Sequence, residues 1–239
     1  MRLLLNRLVD KLCVRLADIL LDKMQARLLH PHALLLAEAQ RDSADYARAH
    51  MAGALVFKDR DDLLRLAAAR APAGGSVLEF GVGGGDSIRL LAQVLPGRTI
   101  HGFDSFEGLP EDWPGRHEAK GHYAQATLPV VPGNVTLHKG WFDQTLPPYL
   151  MADTQPVALL HLDADLYSST RTVLGLLAAR LRAGTVIVFD EYFNHVGWRD
   201  NEFKAFHEFV AEQGLTYRYL GWSYQQAAAV IEAVNPQNN

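Results

Sequence analysis

Val77-Leu78-Glu79-Phe80-Gly81-Val82-Gly83-Gly84-Gly85 is an apolar run that breaks into glycines and restarts as the helical pattern Ser87-Ile88-Arg89-Leu90-Leu91. That order spells a strand, a tight backbone turn and a helix N-terminus. About one β-α-β step later, the apolar run Thr99-Ile100-His101-Gly102-Phe103 ends in Asp104-Ser105. Gly81, Gly83 and Gly85 let the main chain approach a ligand closely, with Ser87 opening the helix beside them. Asp104, followed by Ser105, stands where a carboxylate can accept both hydrogen bonds of a ribose diol. The stretch predicts a nucleotide-type ligand site.

Two details narrow the ligand. Dinucleotide folds want the pattern G-x-G-x-x-G, whose last small residue lets helix pack on strand, but that position here is Asp86. Glu79 lies two residues before the first glycine, where a carboxylate repels a pyrophosphate and attracts an α-amino group. An amino-acid-bearing nucleoside, S-adenosylmethionine, fits better than NAD.

Composition bounds the rest. The chain has 239 residues, 49% of them hydrophobic, and a net charge of -4. One main domain is expected, and the absence of a lysine-rich block argues against a nucleic-acid partner. Cys13, the only cysteine, excludes an intramolecular disulfide and a cysteine-based zinc site, so a reducing cytoplasm is the expected location. No apolar run approaches membrane-spanning length, and Met1 to Leu5 meets Asn6 and Arg7 too soon for a signal-peptide core.

The chain divides into an N-terminal helical extension, 1–71, and a main domain, 72–239. In the extension, Leu5, Leu8, Val9, Leu12, Leu16, Ile19 and Leu20 make one stripe, with Arg7, Lys11 and Arg15 spaced four apart beside it. This amphipathic helix is expected to pack on the main domain or on a second copy in a homodimer; the alternative is contact with a membrane surface. Pro31 starts a second helix to about Met51, and a third runs from Asp59 or Arg60 to Arg70, ahead of Pro72-Ala73-Gly74-Gly75.

Beyond Asp104, the polar stretch Glu107 to Gly133 carries Trp113, His117, His122 and Tyr123. A connection that long reads as part of an active-site lid. Val135-Thr136-Leu137-His138 is a short strand running into Lys139-Gly140-Trp141-Phe142, where Trp141 or Phe142 covers an adenine or packs in the core. Val157 to Leu162 is a buried strand followed by Asp163-Ala164-Asp165 and a helix from about Ser168 to Arg182. Thr185 to Phe189 is another, ending in Asp190-Glu191-Tyr192. A helix from Glu202 to Gln213 precedes two last strands, about Thr216 to Leu220 and Ala227 to Ile231. Alternating strands and helices predict an α/β fold with a mostly parallel sheet covered on both faces.

Two strands therefore end in acids, Asp163 and Asp165 on one, Asp190 and Glu191 on the next. Carboxyl ends of strands line the ligand crevice of an open parallel sheet, so the four converge beside the nucleotide site. Unneutralised, they repel one another. Converging hard oxygen ligands suit Mg²⁺, with Mn²⁺ or Ca²⁺ as alternatives. Helix N-capping by Asp163 or Asp190 and a solvated Glu191 are the competing structural readings.

The ordered set Leu78-Glu79-Phe80-Gly81-Val82-Gly83, Gly102-Phe103-Asp104-Ser105-Phe106-Glu107-Gly108-Leu109-Pro110, Lys139-Gly140-Trp141-Phe142, Thr145-Leu146-Pro147, Leu162-Asp163-Ala164-Asp165-Leu166-Tyr167 and Asp190-Glu191-Tyr192 resembles the macrocin O-methyltransferase family. That family methylates sugar hydroxyls of antibiotics. The resemblance implies a Rossmann-like class I methyltransferase fold, Mg²⁺ ligands at Asp163, Asp190 and Glu191, and a general base at Asp165. Glu191 stands where the family commonly has Asp.

Read alone, the residues suit the same chemistry. A hydroxyl is a poor nucleophile until it loses its proton; a metal lowers its pKa while a carboxylate, here Asp165, accepts that proton. His161, inside an apolar strand, reads as a satisfied core histidine. His195, just past Asp190-Glu191, either touches substrate or lies at the surface. The expectation is an S-adenosylmethionine-dependent, Mg²⁺-assisted O-methyltransferase for a small-molecule hydroxyl acceptor, a sugar or glycoconjugate. A catechol-type metal-dependent O-methyltransferase and a non-catalytic S-adenosylmethionine-binding protein are the rival readings.

Overall fold

The chain switches sides of its own sheet in the middle, and that switch creates the site. The computed structural model describes residues 2–234. Its strands are β1 (Leu55–Val56), β2 (Ser76–Phe80), β3 (Ile100–Asp104), β4 (Val135–Lys139), β5 (Val157–Leu162), β6 (Val186–Phe189), β7 (Leu215–Trp222) and β8 (Ala227–Val234). They form one sheet in the order β1-β7-β8-β6-β5-β2-β3-β4. From β6 to β4 the pairing is parallel throughout, whereas β8 runs antiparallel to both β6 and β7. The chain winds outward from β2 through β3 to β4, then returns to place β5 on β2's other side. Ligands of open α/β sheets bind outside the carboxyl ends of the strands at such a reversal.

The helices are α1 (Arg2–Leu29), α2 (Pro31–His50), α3 (Arg60–Arg70), α4 (Asp86–Val94), α5 (Phe142–Ala152), α6 (Tyr167–Leu177) and α7 (Glu202–Gln213). Strand alternation sends successive side chains to opposite faces. Leu78, Phe80, Leu160, Leu162 and Phe189 face a core shared with α2, α5, α6 and α7. Val77, Leu159, Val186 and Val188 face a second core built with Leu63 and Leu64 of α3 and Ile88 and Leu91 of α4. The expected covering of both faces is borne out, as are the N-terminal helices and the two final strands.

Two elements were not anticipated. β1 is two residues long, too short to show a period. α5 contains Pro147 and Pro148, each of which lacks the N–H that a helix interior uses, so the segment reads as a break. It forms nonetheless because Leu146 and Tyr149 are buried against the sheet.

In α1 every described side chain from Val9 to Arg27 is exposed, while Leu5 and Leu8 of the leucine stripe lie outside the described side chains. The end of α2 is anchored instead. Tyr46 and Met51 enter the core, Ser43 Oγ accepts from the Asn194 N–H at 2.8 Å, and Asp42 takes a two-pronged pair from Arg199. No helix among the described residues is long and apolar enough to cross a membrane.

Candidate active site

A cavity of about 630 Å³ opens at the switch point and is walled by the glycine turn, Asp104, Ser105, Trp141, Phe142, the four strand-end acids and Arg60. The turn is shaped by its neighbours as much as by any ligand. Gly81 has φ +87°, and a Cβ there would sit 1.8 Å from the Asp163 carbonyl oxygen, so only glycine lets the loops after β2 and β5 touch. Gly83, at φ +50°, has open space where its Cβ would be, and Gly85, at φ +85°, caps α4.

Asp104 organises this turn. Its Oδ2 accepts from the N–H groups of Val82 and Gly83, both at 2.8 Å, and its Oδ1 from Phe106 at 2.6 Å. Ser105 lines the cavity and accepts from Glu107 N–H at 3.0 Å. Trp141 stands at the N-cap of α5 on the cavity wall; Phe142 also lines the wall and packs edge-on against Phe80 at 5.2 Å.

Glu79 lies elsewhere than its charge suggested. It is fully buried and does not line the cavity. Its Oε1 accepts from Ser87 Oγ at 3.0 Å, and its Oε2 lies 3.0 Å from His161 Nδ1. Glu79 therefore meets the cavity only through Ser87, which does line it. His161 in turn faces Asp190 Oδ1 with Nε2 at 3.5 Å, an ion-pair distance without hydrogen-bond geometry. Burial pulls this imidazole's pKa down, but the flanking carboxylates outweigh it and push it up to about 10. His161 is thus a buried cation joining the turn to the acids; it lies in the core as expected, but its Nε2 has no hydrogen-bond partner where a satisfied ring was expected.

The four acids line one cavity, but their ligand atoms fall into two groups that share only Asp163, so Asp163, Asp190 and Glu191 are not brought together as one set. Ligand atoms of Asp163, Asp165 and Glu191 lie within 4.8 Å of one another, and so do those of His161, Asp163 and Asp190. Burial raises the pKa of Asp163 and Glu191 well above the carboxylate range, and the neighbouring carboxylates add to the shift. Burial likewise pushes Asp165 up to about 7, opposed by its interaction with the Glu191 side chain and helped by the charge of Asp190. Asp190 Oδ1 and Glu191 Oε2 are buried without a hydrogen-bond partner. Orphaned hard oxygens among mutually repelling carboxylates are the donor set that a divalent cation satisfies, so these residues fit Mg²⁺.

Glu202, at the start of α7, escaped the sequence reading. It is fully buried, and its two oxygens accept from the N–H groups of Ala164 at 3.3 Å and Glu191 at 3.1 Å. One carboxylate thus ties both acid-bearing loops together. The loop after β5 needs that hold, because Asp165 sits at φ +61°, a left-handed conformation uncommon for a non-glycine residue. Burial pushes Glu202 up to about 8. His195, by contrast, is buried away from the cavity, its ring nitrogens 3.1 Å from the carbonyls of Glu191 and Val196, so it neither touches the cavity nor lies at the surface.

The stretch from Glu107 to Gly133 has no regular helix or strand. Gly108, Leu109, Pro110, Tyr123 and Gln125 line the cavity, while Leu109 and Trp113 pack with Leu166 in a small separate cluster.

A family model described as a methyltransferase domain matches residues 78–192. The chain carries a methyltransferase domain. The matched span runs from Leu78 in β2 to the residue after Glu191 and leaves Arg60 and Glu202 outside. Among curated proteins, this methyltransferase domain is similar to the 8-demethyl-8-(2,3-dimethoxy-alpha-L-rhamnosyl)-tetracenomycin-C 4'-O-methyltransferase of Streptomyces olivaceus. The two are 32% identical over 141 residues, 49% of this chain and 53% of that protein. The demethyldecarbamoylnovobiocin O-methyltransferase of Streptomyces niveus is 28% identical over the same shares. The chain spans about half the length of these curated relatives. A solved calicheamicin methyltransferase superposes with a TM-score of 0.57 at 25% identity, covering 71% of this chain and 76% of its own. The O-methyltransferase NovP shares the fold, with a TM-score of 0.56 at 21% identity over 73% of this chain and 79% of its own. These relatives bear out the resemblance carried by the ordered motifs and the class I fold it implied.

Proposed function

We propose that this methyltransferase domain binds S-adenosylmethionine against the glycine turn and Asp104. It moves the methyl group to a hydroxyl of a small molecule, a sugar or glycoconjugate. One observation carries the reading: a single cavity, of a size that suits small-molecule ligands, joins a nucleoside-type turn to a cluster of buried acids, two of whose oxygens lack a hydrogen-bond partner. Both curated relatives are O-methyltransferases, and the first acts on a rhamnosyl-tetracenomycin.

When bound, S-adenosylmethionine supplies an electrophilic methyl group, and Mg²⁺ supplies charge that lowers the pKa of a coordinated hydroxyl. Asp163, Asp190 and Glu191 would hold the cation. Asp104 and Ser105 face the ribose, with Trp141 or Phe142 against the adenine. Asp165 is the proton acceptor, because its raised pKa places it near the range where a general base works at neutral pH. The loop from Glu107 to Gly133 excludes water, and the acids fix the acceptor oxygen in line with the methyl group. The catalytic unit is residues 72–239, to which the 1–71 extension lends Arg60. Through α1 the chain pairs with a second copy of itself.

Calorimetry with S-adenosylmethionine, followed by turnover of a glycoside panel with chelator and with Mg²⁺, tests this. Binding of one equivalent of cofactor, loss of turnover in chelator and its return with Mg²⁺ are expected. Absence of cofactor binding would overturn the reading; full turnover in chelator would remove the cation from it.

A further inference from the structure

We infer that Arg60 is the anchor for the carboxylate of the cofactor's methionine moiety. This rests on the S-adenosylmethionine reading above and goes beyond it by assigning a residue that lies outside the matched methyltransferase segment.

The argument begins with charge. The cavity wall carries seven carboxyl side chains and a single guanidinium, that of Arg60. S-adenosylmethionine bears an ammonium, a sulfonium and a carboxylate. Its two cationic groups find complements almost anywhere on such a wall, but for its carboxylate the one guanidinium on the wall is that of Arg60. The position is right as well. Arg60 opens α3 and lines the same cavity as Gly81, after β2, and Asp163, after β5, with its guanidinium 3.8 Å from Asp190 Oδ1, after β6. That cavity lies at the switch point, where the ligand is expected.

The guanidinium is also only loosely held, by two long ion pairs. It is 3.8 Å from Asp190 Oδ1 and 3.8 Å from Asp61 Oδ1, and among the described residues its side chain makes no hydrogen bond. A residue serving only to neutralise Asp190 would be expected to close on it, yet Asp190 Oδ1 is itself left without a hydrogen-bond partner. Five N–H donors in a rigid fork, partly buried and facing a cavity, are suited to gripping a carboxylate with two parallel hydrogen bonds.

The test compares S-adenosylmethionine with its decarboxylated analogue, on wild type and on Arg60→Gln, by calorimetry. The acidic wall alone favours the decarboxylated ligand, which carries more net positive charge. A preference for S-adenosylmethionine therefore needs a specific cation. Wild type is expected to prefer S-adenosylmethionine by about 10- to 100-fold, the size of a charge-assisted hydrogen bond. Arg60→Gln should abolish or reverse that preference, and Arg60→Lys should retain part of it. Both ligands are read on the same protein, so any general damage from the substitution cancels in the ratio. An unchanged preference in Arg60→Gln overturns the assignment while leaving the cofactor reading intact, and so does equal binding of both ligands by wild type. If wild type binds neither ligand, the cofactor reading fails and takes this inference with it.

Discussion

The carboxyl edge of the sheet and the first helix break the ordinary partition of residues in opposite directions. At the sheet edge, Asp165 is 8% exposed, Asp190 6% and Glu202 0%. Along α1, Leu12 is 60% exposed, Leu16 52% and Leu20 60%. Buried carboxylates are costly without a counter-charge, and exposed leucines in a row forgo about 1.5–3 kcal/mol each of burial free energy. Each region is therefore incomplete by itself, but they lack different things. On the proposed reading the sheet edge takes a cation and a ligand at defined atoms, and α1 takes only apolar surface. Substitutions at the first should change chemistry steeply, and removal of the second should change association while sparing chemistry.

The steepest effect is expected at Asp165. Asp165→Asn keeps the size of the side chain and removes the proton acceptor, so kcat should fall by about 10²–10⁴-fold with cofactor and metal affinity near wild type. The sign of the pH dependence follows. Asp165 acts as a base only when ionised, and burial holds its pKa near about 7, so kcat should rise with pH through that region. A bound cation favours the ionised form and moves the midpoint lower. Wild type should therefore show an acidic limb with its midpoint at or below about 7, and Asp165→Asn should show none. A surviving limb in the variant would mean that another group titrates, and an unchanged kcat would make the acidic cluster structural.

Glu202 should come next. Both of its oxygens accept from backbone N–H groups, so Glu202→Gln replaces one acceptor with an NH₂ that faces a donor. One acid-bearing loop is then released. Outer-shell changes of this kind commonly cost about 10–100-fold in metal affinity or activity. Calorimetry should show weaker Mg²⁺ binding with S-adenosylmethionine affinity unaltered. Wild-type Mg²⁺ affinity in the variant would show that the loops after β5 and β6 hold their own shape.

How far such roles can be read in advance depends on where their partners lie. The strand-turn-helix at Val77 to Leu91 and the acids after β5 and β6 are local patterns, so a parallel sheet with ligand groups at one edge follows from the order of residues alone. Glu202 and Arg60 carry no local signal. Glu202 is an ordinary acid in the first turn of a helix until the fold sets it beneath Ala164 and Glu191, and Arg60 is an ordinary helix-surface cation until α3 is laid against the crevice. Glu79 shows the opposite failure. Its place before the glycines suggested a ligand partner, but β2 and β5 pair so that Glu79 stands opposite His161, and that contact captures it. α5 was hidden because Pro147 and Pro148 argue against a helix whose burial then overrides them.

The smallest effect on chemistry is expected from α1, where the comparison can be broken outright. Deleting residues 1–29 leaves His30, whose ring accepts from the His32 N–H at 3.1 Å and caps α2, and keeps the anchors at Asp42, Ser43 and Tyr46. The site should therefore stand, with kcat within about twofold of wild type. What should change is mass in solution, because the exposed row Val9, Leu12, Leu16 and Ile19 recurs at alternating spacings of three and four, the pattern of a helix seam. Val14 and Leu21 are 61% and 55% exposed on roughly the opposite side of the helix. A helix lying on a membrane needs one polar face, whereas apolar rows on two sides suit packing among helices. Light scattering should show the full chain as a dimer and the truncated chain as a monomer. Equal masses would sink the pairing, and sedimentation of only the full chain with anionic vesicles would then assign α1 to a lipid surface. A collapse of kcat on truncation would show instead that α1, despite its exposure, reaches the chemistry through α2.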